Sequence, residues 1–358
     1  MIALRWPHIE PHLITRSLMP ENQESPIHFF SLAAVKPERF FYIRNHFPYP
    51  VLSEESLAVT IDGEVRNPMT FHYRDLLSMP SKEIAVALEC SGNKRARFKP
   101  KVYGIQWEEG AISQGMWKGV PLKDLLNEAG LKPTAREVVF AGRDSGTRTD
   151  MAGTYPYARS LSLDKALHPD TLVAYELNGQ PIPYKHGYPL RLIVPQWYAM
   201  ASVKWLRSIT VLDARFTGPF QVVDYVYEPE PADSGDEKVP VTLVHVNSTI
   251  QFPTDRSLLD TGTIQICGIA WTGTGFITGV ELSLNGGESW VRADLHRMPN
   301  QPYAWILWTY RWDASRQGEY TILCRARDSY GNIQPAAASW NKKGYGYNAI
   351  SRIHVKVE

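Results

Sequence analysis

The segment Glu228-Pro229-Glu230-Pro231-Ala232-Asp233-Ser234-Gly235-Asp236-Glu237 constrains the fold more than any other feature of the chain. It is acidic, rich in proline and glycine and almost empty of core-forming side chains, so it predicts a linker, 228–239, between two domains. The hydropathy pattern differs on its two sides. From 41 to 227, apolar runs alternate with helix signals, which predicts a mixed α+β domain. Residues 121–130 read as one short amphipathic helix with Pro121 in its first turn, Leu122, Leu125, Leu126 and Ala129 on one face, and Gly130 ending it. A second helix is predicted over 70–77, with Thr70 as its N-cap and Pro80 just beyond. After the linker the period becomes two. The runs 241–246, 263–269, 280–284, 303–308, 320–326 and 353–357 predict short strands, and Asn285-Gly286 predicts a hairpin, so 240–358 reads as an antiparallel sandwich of immunoglobulin type. Pro7, Pro11, Pro20, Pro26 and Pro37 leave 1–40 as an irregular N-terminal arm.

Charge and cysteine content exclude several classes. The 38 Lys+Arg against 37 Asp+Glu give a net charge of +1, without the basic excess of a general nucleic-acid binder. No run of about 18 uncharged apolar residues predicts a membrane span. The first residues, Met1-Ile2-Ala3-Leu4-Arg5-Trp6-Pro7, lack an apolar export segment or a twin-arginine pair, so a cytoplasmic location is expected, or a periplasmic one if a leader has been removed. Cys90, Cys267 and Cys324 make no disulfide framework and no C-x-x-C pair, which excludes c-type haem attachment, zinc ribbons and thioredoxin-like chemistry. Cys267 and Cys324 fall on two predicted sandwich strands. They either oppose each other across the core, as immunoglobulin cysteines do, or are two separate buried hydrophobes, the reading favoured in a reducing compartment. Gly273 to Gly279 resembles a dinucleotide loop only faintly, with the wrong spacing and no helix behind it.

Cys90 is placed differently. It ends the strand-like run Ile84-Ala85-Val86-Ala87-Leu88-Glu89 and precedes Ser91-Gly92-Asn93-Lys94-Arg95-Ala96-Arg97, where turn residues are joined by three cations. Nearby cations lower a thiol's pKa and favour the thiolate that attacks electrophiles or binds soft metals. An activated thiol and a buried core cysteine both remain open on this evidence.

The motif Glu89-Cys90-Ser91-Gly92-Asn93-Lys94-Arg95 resembles the Cys-Ala-Gly-Asn-Arg-Arg signature of the sulfite oxidase family of molybdenum enzymes. Further stretches follow in the family's order: Tyr42-Ile43-Arg44-Asn45-His46-Phe47-Pro48, Trp107-Glu108-Glu109-Gly110-Ala111-Ile112-Ser113, Tyr175-Glu176-Leu177-Asn178-Gly179-Gln180-Pro181 with His186-Gly187-Tyr188-Pro189-Leu190-Arg191, and Val203-Lys204-Trp205-Leu206. In the C-terminal region, Ser283 to Trp290 is similar to Ser-Leu-x-Gly-Gly-x-x-Trp, and Trp340-Asn341 is followed by Gly344. The resemblance runs from about residue 15 to the end. It implies a sulfite oxidase-type molybdopterin-binding domain followed by an immunoglobulin-like dimerisation domain.

It further implies a molybdenum–molybdopterin cofactor with Cys90 as the protein ligand, and cofactor contacts at Tyr42, Arg44, His46, Asp144, His186, Arg191, Ser202 and Lys204. A cationic substrate cup falls on Arg44 and Arg95, with Trp107 and Tyr225 beside it. The family's third arginine is Lys343 here, which keeps the charge and loses the bidentate fork. Sulfite oxidation to sulfate is the implied reaction, with nitrate or methionine sulfoxide reduction at the same cofactor as the alternative, and a non-enzymatic binding protein as the reading from another class. No haem or flavin motif is present, since only His168-Pro169 approaches the family's haem signature, so an external acceptor such as a c-type cytochrome is expected. A homodimer is expected too. Trp271, Trp290, Tyr303, Trp305, Trp308, Tyr310 and Trp312 crowd the second domain and would place rings on both faces of one sheet, a surplus suited either to an interface or to packing on the first domain.

Overall fold

The structure is a computed structural model that describes residues 12–30, 34–228 and 238–358. Most of the expected linker, 229–237, and Pro7 and Pro11 of the arm lie outside the described residues.

Two five-stranded sheets build the first domain. One runs in the order Gln180–Pro181, Leu172–Leu177, Ile112–Pro121, Lys82–Glu89, with Arg191–Ile193 also pairing to Leu172–Leu177; the other runs Met69–His72, Ala58–Gly63, Leu206–Leu212, Glu137–Thr147, Thr154–Ser162. Leu172–Leu177 is buried at every position except the half-buried Glu176, as its run of Leu172, Val173, Ala174 and Tyr175 suits a central strand. The helix Leu122–Ala129 buries Leu122, Leu125, Leu126 and Ala129, and Gly130 closes it at φ 71° with its N–H on the Leu126 and Asn127 carbonyls. The described part of the arm carries more regular structure than its prolines suggest. Ile14–Leu18 and Glu21–Glu24 form a hairpin, and Gln23 and Ile43 exchange backbone hydrogen bonds of 2.9 and 2.8 Å that fasten it to the domain.

The second predicted helix starts late. Thr70 lies opposite Thr60 in a strand, Met69–His72, whose alternation buries Phe71, and the helix is Tyr73–Ser78. Its N-cap is His72, whose N–H donates to the Asp75 carboxylate at 3.0 Å. Cross-strand pairing of β-branched Thr70 outweighs its capping preference.

The second domain is a sandwich. Its sheets are ordered Asn247–Phe252, Gly262–Trp271, Ile306–Ala314, Asp294–His296 and Leu258–Leu259, Ser351–Val357, Gly318–Asp328, Ile277–Ser283, Val291–Arg292. The expected strand over 241–246 is irregular, because Val241 and Val244 face the first domain and give their N–H groups to Tyr225 and Gln196 carbonyls. Asn285-Gly286 lies in a longer connection between Ile277–Ser283 and Val291–Arg292, with Gly286 and Gly287 both at positive φ. Cys267 and Cys324 are free and do not oppose each other. Ile264, Ile266 and Ala270 face the sandwich core together with Cys324, so alternation turns Cys267 to the other face, with Ile269 and Trp271.

That other face settles the aromatic surplus. Trp308 and Trp312 fill the sandwich core, whereas Trp271 and Trp305 join the core of the first domain. Residues 301–305 also cap the edge strand Lys82–Glu89 and its neighbour: Ala85 N–H donates to Gln301 Oε1 at 2.7 Å and Trp305 N–H to Gln114 Oε1 at 2.5 Å. Four of the rings that suggested an interface, Trp271, Trp305, Trp308 and Trp312, are therefore covered within one chain, whereas Trp290, Tyr303 and Tyr310 are half-buried.

Candidate active site

Cys90 follows the last residue of Lys82–Glu89, where the strand ends in a tight turn. Cys90 N–H donates to the Ala111 carbonyl, its own carbonyl accepts from Asn93 N–H at 2.8 Å, and Asn93 Oδ1 accepts from Ala111 N–H at 3.1 Å. The thiol lines a cavity together with Tyr42, Arg44, His46, Asp144, His186, Arg191, Ser202, Lys204 and Tyr225, with Tyr157, Met200, Phe41, Leu88 and Ala199 completing the wall. Every residue expected to contact the cofactor lines this one space, although they come from segments more than 150 residues apart.

The three cations that surround Cys90 in sequence separate in space. Arg95 alone stays beside the site, donating to the carbonyls of Ile105 (3.0 Å) and Lys343 (3.2 Å). Arg97 turns to Glu109, and Lys94 turns into the second domain, where Nζ donates at 2.8 Å to both Asn247 Oδ1 and the Ser248 carbonyl. The expectation of a lowered thiol pKa is reversed: burial pushes Cys90 up, and Arg44 and Arg95 oppose that only in part.

Other groups are tuned by burial among cations. His186 is pushed down to about 3 by burial, Lys204 and Arg191, and His46 is also held well below its usual range by burial and Arg44, so both rings are neutral. Burial pushes Tyr225 up to about 12, which keeps its phenol protonated. Its Oη lies 2.6 Å from His46 Nε2, and His46 stacks on Tyr157 at 4.5 Å. Asp144 is raised to about 6 by burial, against the pull of Lys204. Lys204 donates to Asn45 Oδ1 and lies 4.1 Å above the Trp205 ring; Ser202 Oγ accepts from Val194 N–H.

A second, wider opening adjoins the first and shares Arg44, His46 and Tyr225 with it. Arg95, Lys342, Lys343, Arg148, Asp150, Asp224 and Tyr345 line its sides. Arg148 is engaged by the carboxylates of Asp150 and Asp224. Trp107 is placed otherwise than expected: it is fully buried and lines neither space, packing behind Cys90 and edge-on to Tyr42 at 6.4 Å. Tyr157, Arg148 and Tyr345 had no sequence signal of their own, apart from the two glycines that flank Tyr345.

The residues of the inner cavity suit a large anionic cofactor. Arg44, Arg191 and Lys204 face one carboxylate there, an excess of positive charge, and burial together with Arg191 drives the Lys204 ammonium well below its normal pKa, against the pull of Asp144. Arg191 Nε and Asp144 Oδ1 are buried with no hydrogen-bond partner among the described residues. A dithiolene, a phosphate and a heteroatom-rich ring would meet these needs, and a soft thiolate at the base suits molybdenum.

Comparison with known proteins agrees with this geometry. Residues 46–220 match the oxidoreductase molybdopterin binding domain and residues 239–358 the Mo-co oxidoreductase dimerisation domain. The chain is 33% identical to mitochondrial sulfite oxidase of Rattus norvegicus over 98% of its own length and 67% of that protein. It is 32% identical to sulfite oxidase of Arabidopsis thaliana, covering 94% of this chain and 92% of that protein. The NADH nitrate reductase of Ulva prolifera is 32% identical over 99% of this chain and 44% of its own. The chain thus spans about two thirds of the mitochondrial sulfite oxidases that it matches. Among solved structures, the sulfane dehydrogenase SoxCD from Paracoccus pantotrophus superposes with a TM-score of 0.83 at 25% identity, over 100% of this chain and 95% of that one.

Proposed function

The chain belongs to the sulfite oxidase family of molybdenum-dependent oxidoreductases, and from that membership we propose that it oxidises sulfite to sulfate and passes two electrons to a separate acceptor. The observation that carries the reading is the shared wall of the two spaces: Arg44 and Tyr225 face both the thiol-based cavity and the cationic opening. An oxyanion entering beside Arg95 and Lys343 meets planar guanidinium donors first and the buried thiol next.

When bound, the molybdenum cofactor supplies the oxygen transfer and the two-electron redox change. The chain's own residues do the rest. Cys90 ligates the metal. Tyr42, His46, Asp144, His186, Arg191, Ser202 and Lys204 orient the pterin and balance its charge, with the neutral imidazoles acting as hydrogen-bonding groups. Arg44 and Arg95 bind and orient sulfite, and Lys343 adds a point charge at the mouth. The protonated Tyr225 is steadied by neutral His46; in the tautomer whose Nε2–H donates to Oη, the phenol hydrogen is free to point at an oxyanion. Trp107 closes the wall behind the thiol and keeps water from it. A c-type cytochrome is the proposed acceptor.

The test is steady-state turnover of protein loaded with stoichiometric molybdenum, with ferricyanide and cytochrome c as alternative acceptors. Sulfite-dependent reduction of either is expected, and Cys90→Ser is expected to abolish it together with the thiolate-to-metal absorption. Fully loaded protein that is inert to sulfite would overturn the reading. A second reading, nitrate reduction, is favoured by Lys343 in place of an arginine, since a monoanion needs less of the bidentate grip. Nitrate consumption with a reduced viologen dye, exceeding sulfite turnover, would select it.

A further inference from the structure

The second domain reaches the turn that carries the thiol. Glu89, immediately before Cys90, is buried, and its carboxylate has two donors: Asn93 Nδ2 of the same turn on Oε1 at 3.0 Å, and Trp271 Nε1 of the second domain on Oε2 at 2.8 Å. Lys94, at the far end of the turn, lies 5.4 Å above the same Trp271 ring while it donates to Asn247 and Ser248. Between them, Gly346 N–H donates to the Ser91 carbonyl at 2.8 Å. Both ends and the middle of the turn 89–94 are therefore held by the second domain, and Trp271 contacts both ends.

We propose that Trp271, acting through the Glu89 carboxylate, is a positioning residue for the Cys90 thiol, so that the second domain is part of the scaffold that sets the metal-ligand geometry. The physical basis is the cost of a buried carboxylate that loses a donor. With Nε1–H removed, Oε2 loses its hydrogen-bond donor, and rotation of Glu89 toward another donor drags the adjoining Cys90 backbone. Strand Lys82–Glu89 is paired with Ile112–Pro121 along its whole length, so the movement falls on the turn.

The inference rests on the reading of Cys90 as the metal ligand, and the experiment separates the two. Trp271→Phe removes the donor and keeps a ring under Lys94. Glu89→Gln is the second, volume-neutral variant: its amide NH₂ must face one of the two donors, so one bond is lost without touching the domain packing. In the cofactor-free proteins, alkylation of Cys90 by iodoacetamide, mapped by mass spectrometry, is expected to quicken by about fivefold or more in both, as a turn released by one buried bond opens more often. In the molybdenum-loaded proteins the thiolate-to-metal absorption is expected to shift. Trp308→Phe, deep in the sandwich core and without contact to Glu89, is expected to leave both readouts at wild type whatever it does to stability. Wild-type alkylation and absorption in folded Trp271→Phe and Glu89→Gln overturn the proposal, and so does an equal response in Trp308→Phe. Faster alkylation with an absorption band that survives Cys90→Ser keeps the positioning and overturns the ligand reading.

Discussion

Arg95 spends two of its five N–H donors on the carbonyls of Ile105 and Lys343 and lies 5.4 Å from the Tyr345 ring, so its plane is set before any substrate arrives. A charge-assisted bond contributes about 1.5–3 kcal/mol. Arg95→Gln and Arg44→Gln are accordingly expected to lower kcat/KM for sulfite by about one to two decades, and unchanged kinetics would place these groups outside the pocket. Lys343→Arg is expected to tighten sulfite binding by restoring the fork, read as a lower KM. His186 allows a test without cofactor or substrate. Its pKa falls from 6.5 in the unfolded chain to about 3 in the folded one, so the native state binds fewer protons between those values. Its favourable contribution is complete above pH 6.5 and is lost as pH falls toward 3. Asp144, raised from 3.8 to about 6, works with the opposite sign between those values. Thermal unfolding of the cofactor-free protein and of His186→Gln at pH 7, 5 and 4 isolates the histidine: the advantage of the wild type is expected to shrink as pH falls, and a constant difference would contradict a buried neutral ring.

At the scale of elements, the turn after Lys82–Glu89 explains its own glycine. A Cβ on Gly92 would lie 2.6 Å from Arg95 Nη2 and 2.7 Å from Cζ, and one on Gly104 would lie 3.0 Å from Nη1. The guanidinium rests against bare backbone. Gly92→Ala is therefore expected to displace Arg95 while the thiol stays, giving a kcat/KM loss of the size of Arg95→Gln, normal molybdenum content and an unchanged circular dichroism spectrum. Loss of molybdenum instead would show that the glycine serves the metal and not the arginine. The helix Leu122–Ala129 was legible because its apolar spacing and its terminal glycine agree with its packing. Met69–His72 was not, because a four-residue strand is specified by the neighbour it pairs with, and Thr70 reads equally well as a cap.

Over the whole molecule, the first core runs across the domain boundary through Ile269, Trp271 and Trp305. Trp305 is 2% exposed. Trp305→Ala is expected to cost about 3–5 kcal/mol of stability, the usual result of truncating a buried indole. It should leave the particle at twice the 40.6 kDa chain mass in sedimentation, since the ring is used within one chain. A shift to monomer in that variant would return the aromatic face to an interface role. The dimer itself is supported by the match of 239–358 to the dimerisation domain.

The division into two patterned regions, the strand that ends at a thiol, and the inventory of cations, tyrosine and histidines around it were legible in the chain alone, because linker composition, alternation and motif order are properties of neighbouring residues. Where those groups point is set by the folded packing. Lys94 and Arg95 are adjacent in the chain, yet one bonds to Asn247 in the second domain and the other stays at the cavity mouth. Trp107 is driven behind the thiol, Tyr157 and Arg148 are brought to the walls, and Trp271 becomes a donor to a carboxylate 182 residues away. The direction of a side chain follows from which surface buries it, and that surface belongs to residues that no local pattern can identify.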